Sequence, residues 1–352
     1  MNKKIDLALI YGGRGLERNV SVKSAENLVR RLDDGLFSLL AVFIDECGRW
    51  VIASDKYTSP SEGLPTPSGS GIAVAPFKTA VGGGFITESG GLISVDAALP
   101  VLHGDFGEDG SVQGALVSAG IPIVGCSVEA SALGSDKIYT KAVAEYLKIP
   151  TSPWIPAVDL PAKCALIRAE ESLGYPMFIK PARLGSSFGA GAVRCREDFD
   201  KIYSKASTLG CGRVLIERMI PVAAELECLY FSAEGKRYFT NIGEITYSSD
   251  FYDYDTKYGN GSSASINPRS AREGIYGERI REYSERIREL VGIEGLCRFD
   301  YFLDGNGGLF FNEINTMPGF TSHSLSPLLI EETGISLTEA LSSLIREAVG
   351  RK

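Results

Sequence analysis

Two short alternating runs near the C-terminus constrain this chain more than any other feature. Arg298-Phe-Asp300 is followed eleven residues later by Phe311-Asn-Glu313-Ile-Asn315. Side chains two apart on a strand point to the same side, so Arg298 and Asp300 share a face, as do Glu313 and Asn315. The turn-rich Leu303-Asp-Gly-Asn-Gly-Gly308 between them predicts a hairpin that brings the four polar groups together. Asp300, Glu313 and Asn315 offer the carboxylate and amide oxygens that a hard, octahedral Mg²⁺ takes, with phosphate oxygens completing its shell.

A chain of 352 residues exceeds what one hydrophobic core usually serves, so two or three domains are expected. With 36 Lys and Arg against 44 Asp and Glu, the net charge is −8, and there is no long basic run. That balance argues against nucleic acid and anionic membrane as partners. No apolar stretch approaches the ~18 residues of a membrane span. The opening Met1-Asn-Lys-Lys-Ile-Asp-Leu-Ala-Leu-Ile-Tyr-Gly reads as a first buried strand rather than a signal peptide, because Asp6 interrupts the apolar run and glycines end it. Seven cysteines without C-x-x-C spacing fit free thiols in a reducing cytoplasm, and two histidines leave no expected zinc site.

Apolar runs at Ile5 to Ile10, Ser38 to Ile44, Ala97 to Leu102 and Ile123 to Gly125 alternate in part with helical patterns at Ser21 to Leu32 and Ser111 to Ala119. They predict an α/β domain over 1–125 with a doubly wound parallel sheet. Ser59 to Gly91, rich in Gly, Pro and Ser, reads as loops with at most a hairpin. A capping signal at Gly134-Ser-Asp-Lys137 opens a helix to about Leu147. An α+β unit over 126–221 shows strand Met177 to Lys180, a glycine-rich loop from Gly185 to Gly191, a helix near Glu197 to Ser207 and strand Val214 to Glu217. The last unit, 222–352, has strands near Leu226 to Phe231, a Tyr-rich loop at 247–261, a charged helix from about Ala271 to Val291, the hairpin, and a final helix from Ser336 to about Val349.

Three loops carry polar groups suited to a ligand. In Ile179-Lys-Pro-Ala-Arg-Leu-Gly-Ser-Ser-Phe-Gly189 the lysine precedes the glycines, unlike a P-loop. Gly185 and Gly189 let main-chain N–H groups approach an anion, and Lys180 would meet phosphate as a point cation. His103-Gly-Asp-Phe-Gly-Glu108-Asp109-Gly-Ser-Val-Gln113-Gly114 lies where a parallel strand gives way to a helix, the place at which open α/β sheets bind ligands. Tyr11-Gly-Gly-Arg-Gly-Leu-Glu17-Arg-Asn-Val20-Ser21 likewise follows the first strand, and Glu17 there suits a helix N-terminus.

Together with Ser131-Ala-Leu-Gly-Ser-Asp-Lys137 and Tyr252-Asp-Tyr-Asp-Thr-Lys257-Tyr258, these motifs resemble those of the D-alanine–D-alanine ligase family within the ATP-grasp fold. The resemblance spans nearly the whole chain and implies an N-terminal domain plus two α+β domains enclosing ATP. It implies that Lys137 and Lys180 hold ATP phosphates, with Ser187 and Lys257 also on the nucleotide. The stretch from Glu217 to Ile220 would form the hinge against adenine, and Glu225, with Glu227 as the alternative, would bond the ribose. Asp300, Glu313 and Asn315 would bind two Mg²⁺ ions, with Mn²⁺ able to substitute. Glu17 would fix the ammonium of the first D-alanine, with Ser186 and Tyr258 linking it to the loop that closes the site. Val20, His103, Ser324 and Leu325 would contact substrate, Leu325 as an apolar wall of the second subsite. ATP would phosphorylate the first carboxylate, and the second amine would then attack the acyl phosphate. Arg298 and backbone N–H groups would stabilise the tetrahedral oxyanion, and the Tyr-rich loop would exclude water. The implied setting is cytoplasmic cell-wall precursor synthesis, with a homodimer as the candidate assembly.

The chain departs from the family pattern at Ser135, commonly Met, and at Ile123, commonly aromatic, both of which bear on packing more than chemistry. Two other functions compete. A resistance-type relative would use D-lactate or D-serine as second substrate; Lys257 and Tyr258 argue against the first, and Phe251-Tyr-Asp253 with Ser324-Leu325 against the second. A non-catalytic nucleotide-binding relative would lack Arg298 or the metal ligands, all of which are present.

Overall fold

The computed structural model describes residues 3–65, 71–80, 82–247, 264–321 and 324–351. Its first sheet contains β1 (Ile5–Gly12), β2 (Phe37–Ile44), β3 (Trp50–Ile52), β4 (Ile72–Lys78), β5 (Gly83–Thr87), β6 (Leu92–Ser94) and β7 (Ala97–Val101), in the order β6-β5-β4-β3-β2-β1-β7. Along β1, Leu7, Leu9 and Tyr11 enter one core while Ala8 and Ile10 enter another. A strand covered on both faces reads as a continuous apolar run, which is why this one was legible. β1 pairs in parallel with both β2 and β7. Helix α1 (Arg18–Val29) follows β1, and α2 (Ser111–Ser118) follows β7.

Beyond β2 the pairing is antiparallel throughout, so the parallel core carries a four-stranded extension, two strands of which, β4 and β5, form a hairpin in the stretch expected to be loops with at most a hairpin. The glycines that suggested loops serve the pairing: a Cβ on Gly84 would sit 2.3 Å from the Ile93 carbonyl oxygen. Ile123, expected to begin a strand, makes only an isolated parallel bridge to Ala98.

Helices α3 (Val128–Gly134) and α4 (Lys137–Tyr146) lead to a second sheet of β8 (Trp154–Val158), β9 (Met177–Pro181), β10 (Gly191–Val193) and β11 (Arg213–Arg218), ordered β10-β9-β11-β8. Helices α5 (Ala162–Ser172) and α6 (Arg196–Leu209) supply Ala165, Ala169, Phe199 and Tyr203 to its core. The third sheet holds β12 (Val222–Ala233), β13 (Lys236–Phe239), β14 (Gly243–Thr246), β15 (Ser265–Asn267), β16 (Leu296–Asp304) and β17 (Leu309–Asn315), ordered β15-β14-β12-β16-β17 with β13 on β12.

Helices α7 (Glu278–Val291), α8 (Leu325–Glu332) and α9 (Leu337–Gly350) complete the third part. Ser336 and Glu339 form a capping box at the start of α9. Its buried Leu337, Ala340, Leu341, Leu344 and Ile345 recur at helical spacing and join Leu7, Leu28, Leu329 and Phe231 in one cluster. The first and third sheets thereby share a core. Asn27 on α1 strengthens that junction by donating to the Phe320 carbonyl at 3.1 Å.

Candidate active site

A cleft opens between the second and third sheets, and the hairpin forms its floor. Arg298 lies opposite Asn315, and Asp300 opposite Glu313, the register that places all four polar groups together. Arg298 grips Asp300 in a two-point contact, Nε to Oδ1 at 2.7 Å and a terminal N–H to Oδ2 at 2.8 Å. The Asn315 amide donates to the same Oδ2 at 2.8 Å. Burial works against the charge of Arg298, but Asp300 and then Glu227, at 3.4 Å, hold the guanidinium cationic. The register slips after Asp300, so that Phe311 pairs with Tyr301 and Asn312 is the extra residue of a bulge. A bulge re-aims a side chain, and Asn312 joins Glu313 in lining the cleft instead of alternating away from it.

Lysines face this floor from the second sheet and α4. Asp136 caps α4, accepting from the Ile138 N–H at 3.0 Å, and also accepts from Arg183 at 2.9 Å and from Arg213. That fixes Lys137 at the first turn, where its Nζ meets Glu313 at 3.1 Å and the Leu184 carbonyl of the glycine-rich loop at 2.8 Å. Burial opposes the Lys137 charge, yet Glu313 outweighs it and the pKa is raised. Lys180, at the end of β9, meets Glu217 at 2.6 Å and Asn312 Oδ1 at 3.1 Å. Glu217 is buried, which favours its neutral form; Lys141 and then Lys180 overcome this and hold it ionised well below the usual carboxylate range. Ser187, Ile220 and Glu225 line the same cleft, and Glu225 accepts from Tyr247 at 2.9 Å.

Glu17 reaches the glycine-rich loop from the first domain, accepting a hydrogen bond from Ser186. The approach is close: a Cβ on Gly185 would stand 3.0 Å from the Glu17 carboxylate, and one on Gly104 only 2.5 Å. The anion that this loop closely approaches in the structure is therefore Glu17. Ser186 and Ser187 are both left-handed, with φ of 48° and 58°, a backbone that non-glycine residues adopt at a cost. His103 is buried beside Ser24, its Nε2 3.3 Å from the hydroxyl, and burial lowers its pKa to about 4, so the ring is neutral near pH 7.

Glu108, one of the acids of the His103 loop, has its pKa raised to about 8, by burial first and then by the charge of Glu17. The folded chain thus keeps a proton that the unfolded chain releases near its ordinary 4.5. This contribution to stability is whole below the unfolded value and is lost as pH rises through about 8. Glu108→Gln should accordingly lose less stability than the wild type between about pH 5 and about pH 9. Thermal unfolding at the two pH values checks this, and equal losses in both proteins would contradict the assignment.

Two family models cover most of the chain: "D-ala D-ala ligase N-terminus" over residues 6–126 and "D-ala D-ala ligase C-terminus" over 142–346. The D-alanine–D-alanine ligase of Enterococcus hirae is 35% identical, over 98% of this chain and 96% of its own length. The chain belongs to the D-alanine–D-alanine ligase family. Among solved structures, VanG D-Ala:D-Ser ligase from Enterococcus faecalis matches with a TM-score of 0.85 at 30% identity, covering 98% of this chain and 100% of that one. The D-alanine-D-alanine ligase from Coxiella burnetii matches at 0.83 and 26%, covering 99% and 94%.

Against the ligase-family pattern, the expected residues divide. Glu17, Ser186, Ser187, Lys137, Lys180, Glu217, Ile220, Glu225, Arg298, Asp300, Glu313 and Asn315 gather in or against the cleft. Val20 is buried on α1 near Glu17. Ser324 caps α8, its hydroxyl accepting from the Thr321 N–H at 3.2 Å. Lys257, Tyr258 and most of the Tyr-rich loop lie outside the described residues. Leu325 is 2% exposed, belongs to the core of the first and third sheets, and packs against Gly243. The structure thus places it as a core side chain. Leu325→Arg should destabilise the fold by roughly 3–5 kcal/mol, the cost of an unpaired charge in a core. An unchanged denaturation midpoint would show that the side chain has access to the cleft after all.

Proposed function

We propose that this chain joins two D-alanines using ATP, by way of an acyl phosphate. The observation that carries the reading is the convergence of Lys137, Lys180, Arg298, Asp300 and Glu313 in one cleft, with Glu17 held against it through Ser186. Lys137, Lys180, Ser187 and the N–H groups of the glycine-rich loop bind the polyphosphate. Glu217 through Ile220 receive adenine. Glu225 is the better candidate for ribose: Glu227 lies opposite Asp300 and pairs with Arg298, whereas Glu225 lies opposite Phe302, farther along the cleft.

Among the described residues no group of three or more His, Cys, Asp or Glu side chains is assembled around one point. The donor set still fits Mg²⁺, which commonly takes one or two carboxylates and completes its shell with phosphate oxygens and water. Asp300, Glu313 and Asn315 would hold two such ions, with Mn²⁺ as a substitute, and when bound they neutralise polyphosphate charge. Glu17 holds the ammonium of the first D-alanine, and Val20, neutral His103 and Ser324 shape its surroundings. Its carboxylate attacks the terminal phosphorus and ADP leaves; the second D-alanine's amine then attacks the acyl carbon and phosphate leaves. Arg298 stabilises the oxyanion between these events. Tyr258 is assigned to closure over the site, and Lys257 to the nucleotide, on family membership.

A second reading, with D-serine as the attacking amine, is favoured by the VanG likeness, and the burial of Leu325 removes one argument against it. With D-alanine and D-serine equimolar, D-alanyl-D-alanine should predominate by about tenfold, the scale on which one small group is discriminated. Predominant D-alanyl-D-serine would make the second reading correct. Unit limits near 125 and 221 are proposed because each falls between one sheet and the next. No helix among the described residues is long and apolar enough to cross a membrane. The cytoplasm is proposed as the compartment because all seven cysteines are free, and a homodimer is proposed on family resemblance.

A further inference from the structure

Behind Lys180 lies a second buried ammonium that the scheme above leaves unused. Lys141, one turn after Lys137 on α4, is fully buried and does not line the cleft. Its Nζ meets Glu217 Oε1 at 2.6 Å, Thr151 Oγ1 at 2.5 Å, Ser152 Oγ at 3.1 Å and the Phe311 carbonyl at 3.3 Å. These oxygens come from β11, from the stretch before β8 and from β17, so the ammonium is fixed from three directions. The stretch before β8 is itself anchored on β17, with the Phe311 N–H donating to the Pro150 carbonyl at 2.8 Å.

Glu217 consequently has a cation on each oxygen, Lys141 on Oε1 and Lys180 on Oε2, the latter also at 2.6 Å. One negative charge is shared between two positive ones, and only Lys180 of the two faces the cleft. Were Lys141 absent, Glu217 and Lys180 would form a neutral pair, and Lys180 would offer an anion little net attraction. We propose that Lys141 is a positioning residue for the nucleotide: it neutralises Glu217 from behind, so that Lys180 is held in place by Glu217 yet delivers its charge to a polyphosphate. The inference rests on the nucleotide reading of the cleft and deepens it.

The test uses the full chain and a non-hydrolysable ATP analogue, adenylyl imidodiphosphate with Mg²⁺, titrated by calorimetry. Lys141→Met should weaken its binding by about tenfold or more, the range for a lost charged contact. The KM for D-alanine should stay within about twofold, since charge effects on the nucleotide do not reach that subsite directly. Lys141→Met/Glu217→Gln should bind the analogue more tightly than Lys141→Met, because with Glu217 replaced by a neutral side chain the charge of Lys180 is no longer compensated. A packing role predicts the reverse, and that order would overturn the proposal. If Lys141→Met does not fold, the double variant is compared with Glu217→Gln alone. Nearly equal affinities support the proposal, and a further loss of about tenfold overturns it. A wild type that binds the analogue but makes no dipeptide would refute the ligase reading and leave Lys141 testable; one that binds no analogue would refute both.

Discussion

Glu313→Gln should lower phosphate release by about 10³-fold while leaving the fold intact. The substitution keeps size and shape but removes the hairpin carboxylate that faces Lys137 across the cleft. In the structure Glu313 pairs with Lys137 at 3.1 Å, so its charge is partly compensated before any ligand arrives. Once polyphosphate occupies Lys137, that charge becomes available to a divalent cation, and glutamine cannot supply it. Circular dichroism and the unfolding midpoint separate this effect from misfolding. Turnover like that of the wild type at saturating Mg²⁺ would show that the hairpin is not the metal site.

Arg298→Met should reduce kcat by roughly 10²–10³-fold, the usual range for removing one oxyanion donor. It should also cost stability, because Asp300 and Glu227 would lose the guanidinium that meets them at 2.7 and 3.4 Å. Removing one partner of a buried ion pair costs about 3–5 kcal/mol, so both readouts should move. Arg298→Lys should restore most of the stability and little of the rate. A point charge can neutralise the carboxylates, but it cannot reproduce the two-point grip on Asp300. Rates within about tenfold of wild type for either variant, outside the range expected for an oxyanion donor, would remove Arg298 from the chemistry.

The hairpin and its four polar groups were legible because strand alternation and turn chemistry are local properties, and Arg298, Asp300, Glu313 and Asn315 obey them. Asn312 was not, because a bulge breaks the alternation, and nothing within Phe311-Asn-Glu313 announces one. Lys141 left a fainter signal: it shares a helical face with Lys137, but its partners on β11 and β17 are distant in sequence. The strands β4 and β5 were obscured by glycines in their stretch, of which Gly84 permits the close approach of β6 to β5. That the first turn of α8 points Leu325 into the core was not legible either, because it depends on how α8 packs on the first and third sheets. The shifted pKa of Glu108 depends on the approach of Glu17 from another loop, which only the folded chain creates.

The central claim, that ATP activates the first substrate as an acyl phosphate within this cleft, is tested most directly by isotope transfer. The purified protein is supplied with ATP, Mg²⁺ and D-alanine labelled with ¹⁸O in both carboxylate oxygens, and phosphate and dipeptide are analysed by mass spectrometry. Attack of that carboxylate on the terminal phosphorus, followed by departure of phosphate from the acyl carbon, moves one ¹⁸O into phosphate for each D-alanyl-D-alanine formed, with ADP as the other product. Dipeptide accompanied by unlabelled phosphate, or by AMP and pyrophosphate, would contradict it.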